Sequence, residues 1–143
     1  MSKNNIGSSL LMVICFTGAV SLMALSVWRT TMYNLESALA RTVYTQTLKS
    51  TEGLLNLAIE VGIENFEKFM KQSVSIQIEL PVWYSLQGKT FGGAIAFTPQ
   101  KEHLEISAAL KRGDHVYCSL RCNITKDPSG GYNIWAWTID SQV

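Results

Sequence analysis

"GSSLLMVICFTGAVSLMALSVWR", residues Gly7 to Arg29, decides how the rest of the chain is read. From Ile6 to Trp28 no side chain carries a charge, whereas charges recur steadily from Arg29 onward. Those 23 residues suffice for a membrane helix, which needs about 20 to cross a bilayer. Three readings are open: a cleavable secretion signal, a permanent anchor, or the apolar half of a filament subunit. "ALS" at Ala24 to Ser26 offers the first reading a small-x-small cleavage site. Two features weigh against it. The apolar run exceeds the usual core of about 7–15 residues, and no turn-forming residue breaks the chain near the cut, the first proline being Pro81.

From Ile6 to about Lys71 nothing forbids a continuous helix. Beyond the apolar run, Leu35, Leu39 and Val43, then Leu55, Ile59, Phe66 and Met70 recur near helical spacing. The weak link is "RTVYTQTLKST", residues 41 to 51, whose four threonines lower helix propensity; a kink or loosened turn is expected there.

After Lys71 the period changes from helical to alternating. Val74, Ile76, Ile78 and Leu80 fall on one face of "SVSIQIEL". Ile95 and Phe97 follow in "GGAIAFTP", and Leu104, Ile106, Ala108 and Leu110 in "HLEISAALK". "HVYCSLRCNI" sets Val116, Cys118, Leu120, Cys122 and Ile124 against polar partners, and "YNIWAWTI" places Trp135, Trp137 and Ile139 on one side, expected to be the core side. "KRGD" and "KDPSGG" are turn chemistry. Turn-linked successive strands predict an antiparallel meander with one buried face. Roughly 70 residues make a thin core on their own, so the amphipathic stretch from Leu54 to Met70 is the expected lid, with Phe66 and Phe69 near the contact. The fold class is α+β: a long N-terminal helix, its first half membrane-embedded, with a small antiparallel sheet packed on its C-terminal half.

The chain has 143 residues and a formal net charge of +1, which points to no nucleic-acid partner. Cys15 lies in the apolar run, preceded by Ile14 where a lipoprotein site wants a small residue. Cys118 and Cys122, four apart in a strand, stand roughly 13 Å apart on one face, too far to bridge. They read as small buried apolar residues; a disulfide permitted by a bulge, or made with another chain, is the alternative. No catalytic, cofactor or metal constellation stands out, and the chain reads as a non-enzyme. His103 and His115 lack ligand partners at fixed spacing and read as surface or strand-edge residues. Glu60, Glu64 and Glu67 read as a solvated helix face that pairs with Lys68 and Lys71. "RGD" at Arg112 to Asp114 is a turn tripeptide, and "NIT" at Asn123 a formal glycosylation sequon.

A short polar leader ending in glycine, "MSKNNIG" with its basic Lys3, then an apolar helix continuing into a small antiparallel sheet, resembles type IV pilins and type II secretion pseudopilins. "GSSLLMVICF", "WRTTMYNLE" and "STEGLLNLA" are most similar to the PilX-type minor pilins, at the level of pattern and over about residues 1–60. The resemblance implies residues 1–7 as a leader, 8–28 as the transmembrane and filament-core helix, 29–71 as its amphipathic continuation and 72–143 as a β head. It implies processing by prepilin peptidase after Gly7, methylation of Ser8, and packing of the helix with other pilin or pseudopilin subunits through Gly18, Ala19, Ser21 and Ala24. Further implied partners are the inner-membrane assembly platform and membrane lipid. Met12 stands where major pilins carry a pairing glutamate, as in the PilX-type proteins and the K-type tip pseudopilin, and Ser8 stands where phenylalanine is usual. An unpaired carboxylate in a bilayer costs several kcal/mol, so a subunit without one suits an initiating or capping position. The resemblance alone sets the head outside the cytoplasm, because Arg29, Arg41 and Lys49 against Lys3 lean the other way. The alternative function is a single-pass or secreted binding module unrelated to pili.

Overall fold

The computed structural model describes residues 4–72, 74–86 and 88–140. The elements are α1 (Asn4–Glu64), α2 (Phe66–Lys71), β1 (Ile76–Leu86), β2 (Lys89–Pro99), β3 (Leu104–Arg112), β4 (His115–Lys126) and β5 (Tyr132–Asp140). The chain divides into two compact units, Met1–Thr42 and Val43–Val143.

The first unit is a stretch of α1, which among the described residues is the one helix long and apolar enough to span a membrane. Several of its hydroxyls bond within the helix. Thr17 donates to the Val13 carbonyl at 2.8 Å and Ser21 to that of Thr17 at 2.8 Å. A helix that bonds its own polar groups can face lipid without leaving a donor unmet.

The second unit is two-layered: helix over one face of a five-stranded antiparallel sheet in the order β1-β2-β3-β4-β5. Buried helical residues recur at Thr47, Thr51, Leu54, Leu55, Ala58, Ile59, Gly62 and Phe66, the three- and four-residue spacing that makes one face of a helix. They meet Ile95 and Phe97 of β2, Leu104, Ile106 and Ala108 of β3, and Leu120, Cys122 and Ile124 of β4. Phe66 meets Tyr132 edge-on, with ring centroids 5.4 Å apart, and Phe69 stacks on Phe97 at 4.6 Å. The α+β class, the meander and the helical lid are therefore as the sequence pattern predicts.

Several local expectations are corrected. The helix runs unbroken through residues 41–51. Thr42, Thr47 and Thr51 donate their hydroxyls to the carbonyls of Ala38, Tyr44 and Thr47 at 2.8–2.9 Å, and Thr47 and Thr51 are buried at the head of the lid. Packing outweighs a propensity deficit of a few tenths of a kcal/mol per threonine. The break comes instead at Asn65, with φ −112° and ψ 17°, whose Nδ2 donates to the Val61 carbonyl at 3.1 Å. Asparagine competes for backbone partners in this way, and α2 restarts beyond it.

The first strand starts at Ile76, leaving Val74 70% exposed, and runs through Pro81 to Leu86. Leu80 pairs with Gly93 and Tyr84 with Phe91, so Pro81–Trp83 stand opposite the single Gly92. A Cβ on Gly92 would lie 3.0 Å from the Leu80 carbonyl oxygen, so glycine admits the bulge. The bulge turns Trp83 toward the lid, where its indole N–H donates to the Ser50 carbonyl at 3.1 Å. In β4 the bare alternation fails at Tyr117: Leu110 pairs with Cys118 but Lys111 with Val116, which carries Val116 off the core face. Tyr117 then meets Phe91 edge-on, at 5.2 Å between centroids.

Two glycines of α1 should respond oppositely to alanine. A Cβ on Gly53 meets nothing within 4 Å, so Gly53→Ala gains helix propensity of up to about 1 kcal/mol and should raise the melting temperature. A Cβ on Gly62 would lie 2.5 Å from Ile106 Cδ1, the tip of a fully buried side chain that would have to shift within the core. Overpacking costs about 1–3 kcal/mol and outweighs the same helical gain. Gly62→Ala should melt lower than the parent protein.

Candidate interaction surfaces

Across the first unit the residues from Ser9 to Trp28 are all exposed and uncharged. Gly7 and Ser8 lie on α1, whereas Lys3 is outside the described residues. Met12 is 73% exposed. Of the four small residues expected to seat a neighbouring helix, Gly18 and Ser21 share a face. Ala24 drifts about 60° further round, and Ala19 stands about 100° from Gly18 on the other side. One neighbour therefore meets Gly18 and Ser21 together and not Ala19. A Cβ on Gly18 would meet nothing within 4 Å, so a partner backbone can approach there closely.

On the second unit the sheet face away from the helix is floored by small residues. Gly92, Ala94, Ser107, Ala109 and Ser119 line open depressions of about 540 Å³ and 460 Å³. Glu79 and Lys111 flank the first, 3.9 Å apart, and Glu105, Arg121 and Asp140 the second. The charges alternate in sign, so the face concentrates neither anions nor cations. The "RGD" tripeptide occupies the β3–β4 turn, with Gly113 at φ 61°. "KDPSGG" turns between β4 and β5: Gly130, at φ 92°, donates its amide to the Asp127 carbonyl at 2.9 Å. The Ser129 amide, bonded to the Asp127 carboxylate at 3.0 Å, holds that carboxyl below its usual range.

The last strand differs most from its sequence reading. Trp135, Trp137 and Ile139 are 46%, 54% and 56% exposed, not core residues. A register shift between Arg121 and Asn123 sets Trp135 opposite Asn123 and Ile139 opposite Leu120, which lie on opposite faces of β4. Residues of equal parity thus part company, because one extra residue in a strand flips everything beyond it. Trp135 instead meets His103 edge-on at 5.5 Å. His115 is exposed beside Tyr117, at 4.7 Å.

Glu67 pairs neither with Lys68 nor chiefly with Lys71. Its carboxylate accepts from Lys126 Nζ of β4 at 2.7 Å, and that bond first, then the charges of Lys126 and Lys71, hold it below the usual range. Lys68 Nζ reaches the Asn65 side-chain oxygen at 3.4 Å. Sequence spacing along a helix cannot find a partner 59 residues away.

Cys118 and Cys122 are free and buried beneath the lid, and Cys15 is free and exposed. Burial pushes the Cys118 thiol up, with hydrogen bonding to Thr51 opposing it, and pushes Cys122 up to about 11. Both are protonated near neutrality and are inert as nucleophiles. No group of three His, Cys, Asp or Glu side chains among the described residues is placed to hold a metal.

A raised thiol pKa makes stability that is complete below the unfolded value near 9 and lost as pH climbs toward the folded value of about 11. Melting temperature should therefore fall between about pH 9 and pH 11. Cys122→Ala should flatten that slope, and native Cys118 and Cys122 should resist iodoacetamide at pH 8 until the protein is unfolded. An unchanged slope in the alanine variant would show that another group titrates.

Comparison with known proteins returns no match to any family model, curated sequence or solved structure.

Proposed function

We propose that the chain is a minor pilin- or pseudopilin-like structural subunit, held in the bacterial inner membrane with its β head outside the cytoplasm. In this reading prepilin peptidase removes residues 1–7, Ser8 becomes the methylated N-terminus, and the apolar helix packs beside those of other subunits. They meet first in the bilayer and then in the core of a type IV pilus or type II secretion pseudopilus. One observation carries it: a single helix is charge-free and exposed from Ser9 to Trp28, and the same helix supplies the buried lid of a small antiparallel sheet. A plain anchor needs no such continuity of one element through both roles. Gly18 and Ser21 supply the close-approach face. Met12, in the place of a pairing carboxylate, fits an initiating or capping place with no subunit beyond it.

Mass spectrometry of the protein from membranes tests this directly. The expected species begins at Ser8 and carries one methyl group; a species beginning at Val27, or an intact Met1, overturns the reading. The span itself has a separate test. Leu22→Arg places a charge near its centre at an insertion cost of about 2.5–3.5 kcal/mol, so the membrane fraction should fall sharply. Leu57→Arg, on an exposed site of the second unit, should leave that fraction unchanged.

A further inference from the structure

The two edges of the sheet are not alike. β1 is blunted by Pro81, by the three-residue bulge opposite Gly92 and by the charge of Glu79, which are devices that stop an edge from pairing. β5 ends the strand order at the other side, so among the described residues nothing pairs with the outer row of its backbone N–H and C=O groups. From Tyr132 to Thr138 it carries neither charge nor proline. Large apolar side chains flank that open row on both faces of the sheet. Trp135, opposite Asn123, is on the face away from the helix; Ile134 and Ile139, opposite Ile124 and Leu120, are on the face toward it. All three are between 39% and 56% exposed.

We propose that the outer edge of β5 is a docking site for an extended, uncharged strand of another protein chain, which adds to the sheet as a sixth strand. The occupant follows from the chemistry of the edge. A backbone row of alternating donors and acceptors is satisfied by another extended backbone. A bilayer or a flat protein surface covers only one face, whereas a strand laid along the edge covers side chains on both. A second copy fits poorly, because the register shift interrupts β5 near its middle. Self-pairing about that middle would bring two interruptions together. The absence of charge from Tyr132 to Thr138 asks for none on the strand that joins that stretch. This proposal is independent of the pilin-like reading and stands for any protein with this head.

The full chain in detergent, extended after Val143 by a flexible Gly/Ser linker of about ten residues and the strand Thr-Val-Thr-Val-Thr-Val, tests it. Tethering raises the effective concentration to roughly millimolar, so even a weak edge is occupied. Hydrogen exchange at the amides of Tyr132–Ile139 should slow at least tenfold against a control tail of Thr-Pro repeats, with β1 unchanged. Trp135→Lys, at a half-exposed site that leaves the core intact, should remove most of that protection. No slowing relative to the proline tail, or equal slowing at β1, overturns the proposal. So does slowing at β5 in the unextended protein as its concentration rises, because the occupant is then a second copy. Slowing at β5 on adding vesicles of phosphatidylglycerol and phosphatidylethanolamine overturns it in favour of lipid.

Discussion

The second unit depends on one contact: the helical stripe from Thr47 to Phe66 laid over the inner face of β2, β3 and β4. A sheet with one apolar face is stable only when a second layer covers that face, and here the helix is the only second layer among the described residues. Leu54, Leu55, Ala58, Leu104, Ile106 and Ile124 are all fully buried at this contact. Each large side chain so buried contributes about 1.5–3 kcal/mol. The demand propagates in both directions. It makes Gly62 a glycine, because Ile106 occupies the space of its missing Cβ, and it draws Leu54 against Gly93. It also buries Thr47 and Thr51 in a stretch of helix whose intrinsic preference is weak.

That contact was legible in the sequence because both partners are periodic. Residues recurring at three and four, set against Leu104, Ile106, Ala108, Leu110 and Cys118, Leu120, Cys122, Ile124 recurring at two, announce a helix over a sheet before any coordinates exist. Three kinds of feature were not legible. Register shifts leave no mark on a pattern of alternation. The extra residue at Tyr117 moves Val116 off the core face, and the shift in β5 separates Trp135 from Ile139. Long-range pairs such as Glu67–Lys126 are invisible to spacing along one element. Edge position is hidden as well. Trp135 and Trp137 look like core residues because aromatic alternation looks the same in a central strand as in an edge strand, and only strand order reveals that β5 is an edge among the described residues.

Of the candidate surfaces, the uncharged run was evident from composition alone, while the open edge appeared only with the topology. The sheet's outer face illustrates the converse. Its small-residue floor is readable as Ala, Ser and Gly at alternate positions, yet charges of both signs surround it: Glu79 meets Lys111, and Glu105 and Asp140 stand with Arg121. Such a face has shape without an electrostatic preference, and shape alone names no ligand.

The two units leave different apolar surfaces uncovered, and the difference lies in their backbones. Along Ser9–Trp28 every main-chain group is committed within the helix and the Thr17 and Ser21 hydroxyls bond to it. Such a surface asks only for an apolar medium or for another helix close enough to touch Gly18. Along β5 exposed Ile134, Trp135, Trp137 and Ile139 stand among polar residues, and among the described residues nothing pairs with the donors and acceptors at the strand's rim. Covering Trp135 or Ile134 with lipid would bury that rim unsatisfied, at a cost of several kcal/mol for each group in a medium without hydrogen-bonding partners. A bilayer is therefore compatible with the first surface and not with the second. Whatever covers β5 must bring peptide groups of its own.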